Sequence, residues 1–395
     1  MYRDNNNYYY YYYHHIPSNS GFYGNQYSND SSVYNYDENY PNFNSTNTEE
    51  NKYTNYTNYL KDKNNNKTFE KYNMKDYQNK EINLCKIKNY GNNCYLNSGL
   101  QILVSCKIFV EELKKYNTKS VLTNLTKQAI HKLLNDKNYE PKEFLIYFSR
   151  INNQFPLVQS CSQNFIRTLL KNLNNELILT NENLIVENEQ YKPKSGNENY
   201  KYRSFIISNN IFPESSLLSI FSGMTKSHSK SICKYCNESI EEFSFCYFID
   251  QNMYLDNNKY TCNFSDVLEK NFEKNNLIMN CPKCSREINM NEETKFIKLP
   301  EILIFTLERF EGEYNKVEIK PDEYIDMRNY VDTFDFRTKY ELIAINIRLG
   351  EQKNFGHEIC QVKRQGKWFE LNDEIVDEKI KSYNNYSYGL FYQRL

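Results

Sequence analysis

In NYGNNCYLNSGLQIL, residues 89–103, a single cysteine, Cys94, follows Gly91-Asn92-Asn93 and directly precedes an apolar repeat. Leu96, Leu100 and Leu103 are spaced as one face of a helix, which puts Cys94 at that helix's N-terminus. Unpaired backbone N–H groups and the positive end of the helix dipole favour thiolate there, and a thiolate is a nucleophile. Asn92 and Asn93 suit a turn or cap, and Asn89 can turn its amide toward an oxyanion. An arbitrary cysteine at a helix start is more often a small buried residue, so the chemistry depends on a base elsewhere.

The chain has five histidines. His14 and His15 lie in a low-complexity tract, His131 in a helical stretch, and His228 beside a cysteine pair. That leaves His357 in NFGHEICQVKRQGKWFELND. The segment reads as a hairpin: GHEICQVKR alternates, Gln365-Gly366 turns, and KWFEL returns. Asn372 on the return strand would then lie across from His357 and fix its tautomer, with Asp373 able to share or replace that role. A half-exposed strand histidine beside two polar residues is the bland alternative.

A second constellation is CKYC with CPKC, which supplies Cys233, Cys236, Cys281 and Cys284. Two C-x-x-C pairs read as four thiolates around one zinc, a closed and therefore structural site. The long stretch between them must be a looped-out β excursion. Cys246 and Cys262 lack such pairing and read as packing residues.

The elements that must position these groups follow from the texture of the chain. Asn and Tyr crowd residues 1–82, where too little aliphatic surface offsets chain entropy, so a disordered tail is expected. From residue 94 to about 175 the pattern is helical, with Pro141 placed where a helix can begin and Ser162 as an N-cap before Phe165, Leu169 and Leu173. Residues 175–203 are polar and read as an excursion. Short Ile-, Phe- and Tyr-rich runs follow, among them FSFCYFI, EILIFTLERF and YELIAINIRL. Helices first and strands afterwards imply an α+β fold.

The formal net charge of −1 gives no electrostatic reason to expect nucleic acid or an anionic membrane as partner. The start carries no apolar signal region, and no run approaches a membrane span. Eleven cysteines without such a signal point to a reducing compartment, cytoplasmic or nuclear.

With these residues in hand, the sequence resembles the ubiquitin-specific proteases, papain-like cysteine isopeptidases, over roughly residues 84–395. KIKNYGNNCYLNSGLQIL is similar to the family's cysteine box and FGHEICQVKRQGKWFELND to its histidine box. IFSGMTKSHSKSICKYC, CPKC, KFIKLPEILIFTLERF and YSYGLFYQRL are similar to family segments and occur in the family's order. The resemblance implies a helical thumb (about 83–205), zinc-bearing β fingers (about 206–295) and a β palm (about 296–395). It implies a monomeric deubiquitinase in which Cys94 attacks, His357 is the base, Asn372 the third member and Asn89 the oxyanion donor. Gln163, Asn164, Gly356 and Glu358 would meet the ubiquitin tail. The sequence also departs from the family. Asn164 replaces a thumb aspartate and Arg167 stands where an acid is usual. Glu358 replaces a tyrosine and Arg348 a histidine. The first two changes remove negative charge from a channel meant for a basic tail, and Glu358 could restore some. A catalytically idle ubiquitin-binding scaffold and a protease for another ubiquitin-like modifier are the competing readings.

Overall fold

The computed structural model describes residues 83–152, 160–179, 184–310, 312–333, 337–353, 355–378 and 380–395. The expected N-terminal tail lies outside them. Five helices come first: α1 (Cys94–Ser105), α2 (Lys107–Lys115), α3 (Val121–Asn135), α4 (Lys142–Ile151) and α5 (Ser162–Ile178). Pro141 does precede a helix, as its fixed φ allows. Cys161, not Ser162, is the N-cap of α5. The Ser162 hydroxyl is instead spent on Glu358, 196 residues away. The polar stretch expected as an excursion runs into α6 (Gly196–Ser208), started by Ser195, whose hydroxyl accepts from the Glu198 N–H.

α1 differs most from its sequence pattern. The leucine stripe predicts one buried face, yet every residue from Cys94 to Ser105 is buried. Its amide positions and Ser98 are tolerated because each finds a partner. Asn97 donates to Asp373, Ser98 to the Glu358 carbonyl and Gln101 to the Cys85 carbonyl. The helix is thus a central rod between the other helices and the sheet.

The strand-rich part forms two main sheets, besides a parallel two-stranded pair of Thr261–Asn263 with Glu318–Lys320. The strands are β1 (Gly223–Ile232), β2 (Ser239–Phe248), β3 (Asp250–Tyr254), β4 (Asn275–Asn280), β5 (Glu287–Lys298), β6 (Ile302–Glu308), β7 (Lys339–Gln352), β8 (Phe355–Arg364), β9 (Lys367–Asn372), β10 (Ile375–Asp377) and β11 (Ser387–Arg394). The smaller sheet has the order β2-β1-β5-β4 and carries both C-x-x-C pairs at its end. The larger runs β10-β9-β8-β7-β11-β6-β3, with Tyr324–Asp326 on β7. Only β3 joins it in parallel. β3 and the helix Phe264–Asn271 fall between the two cysteine pairs in sequence but belong to the larger sheet's core, through Met253, Phe264, Val267 and Leu268. The excursion between the pairs therefore returns to the palm before re-entering the fingers. The architecture is the expected α+β arrangement of helical thumb, β palm and β fingers tipped by four cysteines.

Candidate active site and metal cluster

Cys94 is the first residue of α1, and its side chain is buried. The turn before it is built by asparagines. Asn93 Oδ1 accepts from the Tyr90 N–H at 2.6 Å, and its amide donates to the Lys88 carbonyl and to Asn97 Oδ1. Gly91 holds φ 114°, a conformation side chains resist. Asn89 is fixed from both sides: its Oδ1 accepts from the Gly91 N–H at 2.8 Å, and its amide donates to Asp373 Oδ2 at 2.7 Å.

His357 comes from β8 and Asn372 from the end of β9. The hairpin has the expected turn, with Gln365 and Gly366 both at positive φ and Arg364 opposite Lys367. His357 Nε2 lies 2.7 Å from Asn372 Oδ1. That leaves Nδ1 as the nitrogen available to a hydrogen bond with Cys94, the neighbour that acts most strongly on the imidazole. That interaction is the main reason His357 is raised from the ordinary 6.5 to about 9. Burial pulls the other way, while Asn372 and the Asp373 carboxylate, 3.8 Å from Nε2, reinforce the rise.

Asp373 sits at φ 52° in the turn after Asn372, which turns its carboxylate back over the site. It accepts from Asn89 through one oxygen and from Asn97 through the other, both at 2.7 Å. Sequence reasoning missed Asn97. The available signal was a polar residue three positions after Cys94, one helical turn on and on the same face.

The residues expected along the tail channel are distributed unevenly. Asn164 is half-buried near the start of α5. Gln163 is 3% exposed, and neither amide atom has a partner. It fills the place where Gly389 lacks a side chain: a Cβ at 389 would fall 2.1 Å from Gln163 Nε2. Gly356 directly precedes His357, and a Cβ there would meet the Leu349 carbonyl at 2.8 Å. Glu358 has no exposed surface and pairs with Arg348 at 3.0 Å, so it offers no negative charge to a channel. Burial pushes its carboxyl upward, and Arg348 opposes this. Arg167 does not stand as a free positive charge either. Its guanidinium makes a bidentate pair with Asp250 at 2.6 and 2.7 Å.

At the finger tip the sulfurs of Cys233, Cys236, Cys281 and Cys284 lie within 4.8 Å of one another. The closest pairs across the two knuckles are 3.6 Å (Cys233–Cys284) and 3.7 Å (Cys236–Cys281). The knuckles are alike. The N–H of Asn237 and of Ser285 each donate to the carbonyl of the first cysteine at 2.8 Å, and both residues take positive φ. Cys262 packs against the palm core as expected, but Cys246 is exposed. His228 is bound to Glu241 and stacked on Phe243, away from the cysteines' ligand set.

A sequence model described as "Ubiquitin carboxyl-terminal hydrolase" matches residues 85–392. Ubiquitin carboxyl-terminal hydrolase 4 of Arabidopsis thaliana is 25% identical over 319 residues, covering 73% of this chain and 83% of the relative. Ubiquitin carboxyl-terminal hydrolase 12 of Salmo salar is 23% identical over 308 residues, covering 73% and 80%. Among solved structures, the SAGA Ubp8/Sgf11/Sus1/Sgf73 DUB module bound to ubiquitin aldehyde shares the fold, with a TM-score of 0.58 at 21% identity over 79% of this chain and 70% of that one. Yeast SAGA DUBm with a mutant Sgf73 gives 0.57 at 20% identity, covering 79% and 68%. The chain belongs to the ubiquitin carboxyl-terminal hydrolase family. Among the described residues no helix is long and apolar enough to cross a membrane.

Proposed function

We propose that this chain is an active thiol isopeptidase that hydrolyses the bond after the C-terminal glycine of ubiquitin. The observation that carries the reading is the convergence of Cys94, His357 and Asn372 from a helix start, a strand start and a strand end, with His357 Nε2 2.7 Å from Asn372 Oδ1 and Cys94 the group that acts most strongly on the imidazole. His357 Nδ1 takes the thiol proton, and the sulfur attacks the glycine carbonyl carbon. The resulting oxyanion is held by the Asn89 amide and the N–H of Cys94, which as first helical residue has no intrahelical acceptor. Asp373 holds one N–H of the Asn89 amide and so aims the other. Collapse breaks the C–N bond, and the imidazolium protonates the departing lysine amine. His357 then deprotonates a water, which attacks the thioester and releases ubiquitin's carboxylate and the thiol.

The four finger cysteines would hold one zinc. Tetrahedral coordination with Zn–S bonds of about 2.3 Å puts sulfurs about 3.8 Å apart, close to the two shortest separations here. With four thiolates and no open position, the ion would fix the finger tip rather than take part in the reaction. The residues meeting the tail would be Gln163, whose buried amide lacks a partner, with Asn164 and Gly356. One observation favours a second reading, a protease for another ubiquitin-like modifier: Asn164 carries no charge where the resemblance expects an acid.

Steady-state cleavage of a fluorogenic ubiquitin C-terminal amide tests the proposal. Wild type should turn over, and Cys94→Ala, His357→Ala and Asn89→Ala should each lower kcat, the last by about a hundredfold or more. Turnover surviving Cys94→Ala would refute it.

A further inference from the structure

Arg348 and Glu358 face each other across β7 and β8, beside His357. Their side chains are 7% and 0% exposed, and Arg348 Nη1 donates to Glu358 Oε1 at 3.0 Å. A charge pair this deep is expensive to desolvate and is weak evidence for stability. What sets it apart is what else it holds. Arg348 Nη2 donates at 2.8 Å to the carbonyl of Lys353, in the chain that leads from β7 into His357. The guanidinium lies over the Phe310 ring, 5.3 Å from its centroid. Phe310, just past β6, packs against Tyr314 and Tyr388. The other Glu358 oxygen accepts from Ser162 at the start of α5, and its backbone carbonyl accepts from Ser98 on α1. Gly356 closes on the same side chain: a Cβ there would lie 3.4 Å from Arg348 Nε.

One guanidinium fork therefore joins the segment after β6, the end of the β7–β8 hairpin and the strand carrying His357. Through Glu358 it reaches two of the thumb helices, α1 and α5. Lysine could meet Glu358 but has no planar fork to bond the Lys353 carbonyl and stack on Phe310 at the same time.

We propose that the Arg348–Glu358 pair is a positioning element that sets the borders of the tail cleft, and so governs how well the tail is gripped rather than how fast the bond is cut. The inference rests on the tail-cleaving reading above.

Arg348→Lys in the full chain is the test, read by cleavage of the fluorogenic ubiquitin amide, hydrogen exchange and melting temperature. KM should rise about fivefold or more with kcat within about twofold, since grip and not chemistry is altered. Exchange at Gly350–Lys353 should quicken while β11 and the melting temperature stay as in wild type. Arg348→Met with Glu358→Leu, which removes both charges together, should fold and show the same KM increase. Unchanged KM and exchange in Arg348→Lys would overturn the proposal. So would a loss confined to kcat, or faster exchange throughout the fold with a lowered melting temperature. If wild type itself fails to cleave, the functional reading falls, and the local exchange result alone then decides the positioning claim.

Discussion

The Asp373 carboxylate accepts a hydrogen bond from the Asn89 amide at 2.7 Å, although 284 positions separate them in the chain. Asn97 holds the other oxygen at the same distance. The carboxylate is therefore a fixed strut between the turn after Asn372 and the turn before Cys94, and it decides where the Asn89 amide points.

Replacing Asp373 by alanine should release Asn89 and lower kcat nearly as far as Asn89→Ala does, by about a hundredfold. The two losses should not add in the double variant, because one residue acts through the other. Steady-state kinetics of the three variants measures this. Full additivity would mean the carboxylate acts elsewhere, for instance directly on His357.

His357 is raised to about 9 chiefly by its interaction with Cys94, so removing the sulfur should drop its titration toward 6.5. An NMR titration of wild type and Cys94→Ala reads this directly. The sign for stability follows from the folded value exceeding the unfolded one: the contribution is full below about 6.5 and is lost as pH rises through about 9. The melting temperature of wild type should accordingly fall more than that of Cys94→Ala between pH 7 and 10.

Metal analysis should find one zinc per chain in wild type and less in Cys281→Ser. The variant should lose melting temperature and bind ubiquitin more weakly. Alkylation of Cys94 by iodoacetamide should continue at a similar rate, since the finger tip and the thiol belong to separate elements. Equal zinc content in both proteins would show that Cys281 is no ligand.

Asn164→Asp restores the charge that the resemblance expects on the thumb. For a substrate with a basic tail it should lower KM several-fold and leave kcat unchanged. A rise in KM for ubiquitin would favour a modifier with a different tail. Arg167 would not mask the new charge, because Asp250 already holds it through Nε and Nη2.

Local patterns made much of this legible. The Gln365-Gly366 turn, the start of α4 after Pro141 and the cysteine knuckles each depend on a few adjacent residues with restricted backbone preferences. So does the placing of Cys94 at a helix start. The departures that matter most to the site are contacts between distant segments. Periodicity shows which α1 residues are apolar, but not that the palm would satisfy Asn97, Ser98 and Gln101 and bury the helix all round. Read singly, Arg348 and Glu358 are two odd substitutions in a channel; folded, they are one buried pair. Arg167 likewise gains its partner only when β3 returns to the palm.

The most direct test of the central claim is covalent capture of the full chain by a ubiquitin probe with an electrophile at its C-terminus, followed by intact mass and peptide mapping. The account predicts a single adduct on Cys94, formed in wild type and absent in Cys94→Ser. An unmodified protein that nonetheless binds the probe, or an adduct on any other cysteine, would contradict it.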